Sequence, residues 1–385
     1  MANTKKSAET SLDRALNPRF GQGIFTPERY AVEQKKRMES ARGNLLISSC
    51  RSGTELALMV AESYQSLLRE AGSGAEVTCL MDIDRSFTDS ETGARLGIHV
   101  SGCDVFLIQA LLDPVSGRSV DQNYMALWLA ARAFRENGAN HVTAVLPYLA
   151  YARQDKPTKF EREPIAAKLA ADFTVQSGID RMIVWDPHCG QIRGFYGSVP
   201  VHMLESLSLF IEEFARFKGR KDVIVVAPDQ GAAKFVSHIA NALDLSYAVA
   251  IKFRPEPEVA EIADIVGDFR KKVIALIFDD MISGGGTVYE LSKLLIRRYR
   301  DIQIQMGVSH NLCLPAAKDR LVELYKSGNL KKVVVTNSIP QTKEFRKLPF
   351  LEERSLSEIL ARTINRIHFN RSVSEVFYRP RWERG

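Results

Sequence analysis

The sequence predicts an α/β protein with mostly parallel sheets, divided into two domains. Three observations carry this reading. Short apolar runs alternate along the chain with amphipathic stretches of helical spacing. The runs are near-continuous rather than alternating, as expected of strands covered on both faces by helices. The 385 residues also hold too many such runs for one small sheet and suit two domains of ordinary size.

Taken in order, residues 1–44 are polar and lack sustained periodicity, so they read as an arm, with a helix expected near Pro27–Arg42. Strands are expected at 45–48 (LLIS), 77–81 (VTCLM), 105–109 (VFLIQ), 142–146 (VTAVL), 182–186 (MIVWD), 223–229 (VIVVAPD), 273–280 (VIALIFDD) and 333–337 (VVVTN). Helices are expected near 53–71, 121–137, 163–177, 204–217, 231–243 and 286–299. Gly194, Gly197 and Pro200 cluster after the fifth strand and place a boundary there. The division is then an arm at 1–44, domains at 45–195 and 196–350, and a terminal piece at 351–385. In that last piece SLSEILARTINRIHF reads as a helix packing back onto the body.

Composition excludes several classes. The chain is 45% hydrophobic and 25% charged, close to a soluble globular average, which argues against fibrous or disordered chains. Lys+Arg 52 against Asp+Glu 46 leaves +6, too small an excess to announce a nucleic-acid partner but useful for drawing a small polyanion into a cleft. Cys50, Cys79, Cys103, Cys189 and Cys313 are odd in number and widely spaced, which fits reduced thiols rather than a disulfide scaffold. The N-terminus lacks the apolar core of a signal peptide. No apolar stretch reaches the roughly 20 residues of a membrane span. A soluble, cytoplasmic protein with no membrane partner is expected.

Several strands end in acids or polar groups: Asp186 and His188, Asp229, and Asp279–Asp280. Ligands of open α/β sheets sit beyond the carboxyl ends of the strands, although one isolated Asp there commonly just caps the next turn. The segment 273–296 is the most specific. A buried strand runs into Asp279–Asp280, then Ser283, Gly284, Gly285, Gly286 and Thr287, then a helix. Glycines let backbone N–H groups wrap a phosphate, and the helix N-terminus adds partial positive charge. Two carboxylates before the turn suit vicinal sugar hydroxyls. The loop resembles the phosphoribosyl-binding loop of phosphoribosyltransferases.

Further segments carry a fuller resemblance. PYLAYARQDK with REPIAAKLAA (147–171), DPHCGQIRGFY (186–196), APDQGAAK (227–234), DDMISGGGT (279–287), TNSIP (336–340) and SVSEVF (372–377) stand in this order. Together they resemble the motifs of ribose-phosphate pyrophosphokinases, the PRPP synthetases, over about residues 45–377. The resemblance implies two similar phosphoribosyltransferase-type domains and transfer of pyrophosphate from MgATP to ribose 5-phosphate, with AMP released. It implies Mg²⁺ as cofactor and a homo-oligomer, dimer-based and up to a hexamer, with active sites between subunits.

It also assigns roles. Arg153, Gln154 and His188 fall on ATP-binding positions, and His188 and Asp229 on magnesium-site positions. Asp229, Asp279, Asp280 and Ser283 to Thr287 fall on the ribose 5-phosphate side. AVAIKFRPEPEVAEI (248–262) aligns with the catalytic loop, giving Lys252 and Arg254 catalytic roles, with Phe253 in place of an arginine. SFTDSE (86–91) fits the hairpin that binds a neighbour's adenine through Phe87, Asp89 and Glu91, although Ser90 replaces a glycine.

Ser283, Gly284 and Ala232 also depart from the common pattern. Arg193, His202 and Met203 replace glutamine, aspartate and asparagine at a regulatory phosphate/ADP site, so weak allosteric inhibition by ADP is expected. The main rival reading is a non-catalytic regulatory paralogue on the same fold; the retained His188, Asp229, Lys252 and Arg254 argue against it. A PRPP-consuming transferase explains only the 273–296 loop. A nucleic-acid binder finds no supporting signature.

Overall fold

The expected apolar runs form the centres of two sheets in the computed structural model, which describes residues 27, 34, 37–256 and 259–376, with backbone alone at 252–256, 259–263 and 375. The first sheet has seven strands: β1 (Glu39–Ser40), β2 (Gly43–Ser49), β3 (Thr78–Leu80), β6 (Cys103–Ile108), β7 (His141–Leu146), β8 (Arg181–Trp185) and β9 (Val201–Leu204). Its order is β1-β2-β6-β7-β8-β9, with β3 also on β2. All its pairings are parallel except β1 with β2. A separate hairpin, β4 (Asp84–Ser86) and β5 (Thr92–Ala94), stands beside it.

The second sheet contains β10 (Val223–Ala227), β11 (Ser246–Glu256), β12 (Val259–Val266), β13 (Ile274–Ile282), β14 (Gln303–Asn311), β15 (Leu330–Thr336) and β16 (Leu351–Arg354). Its order is β12-β11-β10-β13-β14-β15-β16, parallel except for β11 with β12. Among the described residues from Arg37 onward the α-helices are α1 (Thr54–Glu70), α2 (Val120–Glu136), α3 (Ala166–Gln176), α4 (Leu207–Glu213), α5 (Ala233–Leu243), α6 (Gly286–Arg298), α7 (Pro315–Lys326), α8 (Lys343–Arg346) and α9 (Ser357–His368). The central strands are buried along nearly their whole length, as helices on both faces require.

Three departures from the expected organisation have clear causes. Pro27 and Gln34 are helical, but the chain is already in strand at Glu39, so an arm helix does not reach Arg42. Arg42 turns inward instead, with its Nε and Nη2 each 3.0 Å from the buried carboxylate of Asp104. The first sheet continues past the Gly194–Pro200 cluster, because β9 pairs in parallel with β8. The strands β14 and β16 and the helix α7 add to the runs that the sequence marks. Gln303, Gln305 and Gly307 break the apolar run of β14; buried Gln305 is satisfied by Arg216 at 2.8 Å.

The terminal helix does pack back on the body, and it does so on the first sheet. Leu356, Leu360, Ala361, Ile364 and Ile367 join Val60, Tyr64 and the buried faces of β2 and β6 in one core. Asn365 donates to the Tyr64 hydroxyl at 2.9 Å, and His368 Nδ1 lies 2.8 Å from the Asp104 carboxylate. The chain thus crosses to the second sheet and returns. Leu312 and Ile339, from loops after β14 and β15, are buried in the core of the first sheet and tie the two halves together. Among the described residues no helix is long and apolar enough to cross a membrane.

Candidate active site

The glycine turn stands where the sequence puts it, between β13 and α6. The strand continues through the acid pair to Ile282, so Asp279 and Asp280 leave it on opposite faces. Asp279 Oδ1 accepts the N–H of Asp280 at 3.0 Å. Gly285 has φ +72°, a left-handed conformation that glycine adopts without penalty, and it precedes the first residue of α6. The N–H groups of that first turn have no partner within the helix, and together with the helix dipole they suit the turn to an anion. Arg320, on α7, donates to the carbonyl of Gly284 and braces the turn from behind. The sequence offered no motif for Arg320; its role depends on α7 packing beside α6.

His188 comes from the first sheet, in the loop after β8, and its Nδ1 lies 2.6 Å from Asp280 Oδ2 of the second sheet. That hydrogen bond raises the imidazole pKa against the opposing effect of burial. Burial pushes the Asp280 carboxyl up, but the hydrogen bond and positive charge of His188 hold it below the ordinary value. Arg153 and Asp155 also act electrostatically on His188, which brings the ARQDK segment to the same mouth. Arg153 and Gln154 are exposed there. The turn they occupy is fixed by Gln154 N–H on the Tyr151 carbonyl at 2.8 Å and by Tyr124 OH on the Ala150 carbonyl at 2.9 Å.

Asp229 follows β10, and its Oδ1 accepts the Ala232 N–H at 3.1 Å, so part of this carboxylate starts the turn into α5. Lys252 lies on β11, where its backbone pairs with Ile262 of β12 beside a bulge; the side chains of Lys252 and Arg254 lie outside the described residues. Phe87, Asp89 and Glu91 form the tip of the β4–β5 hairpin. Phe87 N–H donates to the Glu91 carbonyl at 2.8 Å, Asp89 accepts Glu91 N–H at 3.1 Å, and all three side chains are exposed. Arg85 covers one side of the Phe87 ring at 4.6 Å. The structure thus joins His188 to Asp280 directly, sets the ARQDK turn near enough to act on His188 electrostatically, and leaves the hairpin tip facing outward. Burial, with Arg181 and Arg193 nearby, lowers the His202 pKa to about 4, so that ring is neutral.

Asp186, two residues before His188, was visible only as a strand end. Its carboxylate is buried, accepts Ser206 N–H at 3.1 Å and the Ser309 hydroxyl, and burial raises its pKa to about 6 against those hydrogen bonds.

A parallel α/β layer that presents a glycine turn at a helix N-terminus beside an acid pair, and faces a basic turn and a histidine from a second such layer, suits a transferase acting on phosphorylated substrates. The comparisons with known proteins agree. Residues 45–178 match the family described as the N-terminal domain of ribose phosphate pyrophosphokinase, and residues 254–378 match the phosphoribosyl synthetase-associated domain. The ribose-phosphate pyrophosphokinase of Mycoplasma pneumoniae is 35% identical over 293 residues, 76% of this chain and 86% of that protein. That of Clostridium acetobutylicum is 32% identical over 326 residues, 84% of this chain and 98% of that protein. The crystal structure of phosphoribosylpyrophosphate synthetase from Mycobacterium smegmatis superposes with a TM-score of 0.71 at 30% identity, covering 85% of this chain and 99% of that one. The chain belongs to the ribose-phosphate pyrophosphokinase family.

Proposed function

We infer that the protein transfers the pyrophosphoryl group of ATP to the C1 hydroxyl of ribose 5-phosphate, giving PRPP and AMP. The observation that carries this reading is the meeting of two half-sites. The cradle and Asp280 stand on the second sheet, His188 and the ARQDK turn on the first, and His188 touches Asp280 at 2.6 Å. In this reading the turn from Ser283 to Thr287 holds the 5-phosphate, while Asp229, Asp279 and Asp280 hold the sugar. The C1 hydroxyl attacks the β-phosphorus and AMP departs. Arg153, Gln154 and His188 hold the nucleotide. Lys252 and Arg254 close over the transferring group and stabilise the charge that develops there.

Magnesium is the expected cofactor, with His188 and Asp229 as the side chains that would hold it. When bound, it neutralises phosphate charge and aligns the reacting groups. Among the described residues no three His, Cys, Asp or Glu side chains gather into a ready metal cage. Mg²⁺ keeps several waters and is commonly held by one or two side chains together with substrate phosphates. The exposed hairpin tip supports a role for Phe87, Asp89 and Glu91 toward a neighbouring subunit's adenine, and hence a homo-oligomer built on dimers. The same reading assigns the cradle to the 196–350 domain, with β16 (Leu351–Arg354) still on the second sheet and α9 packed on the first. Incubation of purified protein with MgATP and ribose 5-phosphate tests the function. PRPP and AMP are expected; ADP as the nucleotide product would contradict pyrophosphoryl transfer, and no product would favour a non-catalytic binding protein.

A further inference from the structure

Ser309 and His310 close the buried strand β14 and are themselves almost wholly buried. Both reach across to the first sheet at one residue. The Ser309 hydroxyl donates to the Asp186 carboxylate, and the Ser206 hydroxyl, 2.9 Å away, completes its hydrogen bonding. His310 Nε2 lies 3.0 Å from the Asp186 carbonyl, an acceptor, so this nitrogen carries the proton. Burial lowers the His310 pKa to about 4, which keeps the ring neutral. Its Nδ1 is therefore the acceptor for the Ser338 hydroxyl at 2.8 Å, and its ring packs edge-to-face with Tyr148, the centroids 5.1 Å apart. Asp186 itself has φ +38°, a conformation that L-residues avoid and that persists where surrounding contacts over-determine it.

We propose that Ser309 and His310 are positioning residues for the transfer reaction: by gripping the carboxylate and the carbonyl of Asp186 across the joint between the sheets, they fix the loop that sets His188 against Asp280. The two substrates of the reaction sit on different sheets, so the distance between attacking hydroxyl and β-phosphorus depends on how those sheets register. Misplacement by about 1 Å can lower a rate about 100-fold without loss of either substrate's own contacts. No motif in the sequence marks this grip, because β14 is interrupted by Gln303, Gln305 and Gly307 just before it. The inference rests on the reading that His188 and Asp280 serve the two sides of one site. Product formation by the unaltered protein tests that reading; the comparisons among variants below test the grip.

The experiment uses the full chain with Ser309→Ala, with Ser309→Thr as the conservative replacement that keeps the hydroxyl. Ser206→Ala is the milder lesion, read in the same way should Ser309→Ala fail to fold. Two quantities are measured: kcat with the KM of each substrate, and the ¹⁵N shifts of the His188 ring in protein without nucleotide or metal, assigned by their loss in His188→Gln. Ser309→Ala is expected to lower kcat about 10- to 100-fold with both KM values within about threefold. The His188 resonances should move toward those of a free imidazole, and Ser309→Thr should restore most of both quantities. A kcat loss smaller than tenfold, unmoved His188 resonances, or a failure of threonine to rescue would each overturn the proposal.

Discussion

Replacing Gly285 by alanine isolates what the sugar-phosphate turn demands of the backbone. Its φ of +72° and ψ of 7° are left-handed, a conformation that costs an L-residue about 1–2 kcal/mol. An added Cβ would also stand 3.2 Å from Ala317 Cα and 3.4 Å from Ala317 Cβ. Those atoms belong to α7, which cannot swing aside as a long side chain can. A total cost of about 2 kcal/mol follows, equivalent to roughly 4–8 °C in melting temperature if the turn holds its shape. If the turn yields instead, the cradle opens and stability is spared. In that second case calorimetry should show ribose 5-phosphate binding weakened by about tenfold or more, with ATP binding changed by less than about twofold. Gly284→Ala is the comparison. Gly284 does not have a positive φ, and its nearest neighbour would be the tip of Arg320 at 3.4 Å, which can move. Its effect should be several-fold smaller. Equal effects from the two substitutions, or a Gly285→Ala protein with wild-type melting and sugar-phosphate affinity, would refute the reasoning.

Other outcomes follow from the same geometry. Lys252→Ala should lower kcat about 100-fold or more with little change in the KM for ribose 5-phosphate, because the lysine acts in the transition state; near-native kcat in steady-state assays would remove it from the mechanism. Mixing inactive Phe87→Ala with inactive Lys252→Ala should restore some activity through hybrid sites between subunits, and no rescue after confirmed subunit exchange would place each site in one chain. Asp104→Ala strips a buried carboxylate from Arg42 and His368, and urea unfolding should show a loss of about 3–5 kcal/mol; a loss under about 1 kcal/mol would mean that the cluster does not hold α9 and the β1–β2 turn to the sheet.

Much of the architecture was legible because it is written in local pattern. The runs at 105–109, 142–146 and 223–227 are near-continuously apolar because helices cover both faces of their sheets, and the structure buries them accordingly. The sugar-phosphate turn was legible for a related reason. Its requirements, an acid pair at a strand end, a glycine at positive φ and a helix start, fall within nine consecutive residues from Asp279 to Thr287. Long-range partners leave no such mark. The sequence alone could not show that His188 meets Asp280, 92 positions further on, or that Asp186 is gripped by Ser309, 123 positions away. Nor could it show that the last helix returns to the first sheet, where His368 meets Asp104. Periodicity records which face of an element is buried, not which element covers it. The joint between the sheets is built from single serines, histidines and acids, whose roles arise only when the chain has folded and left them without water.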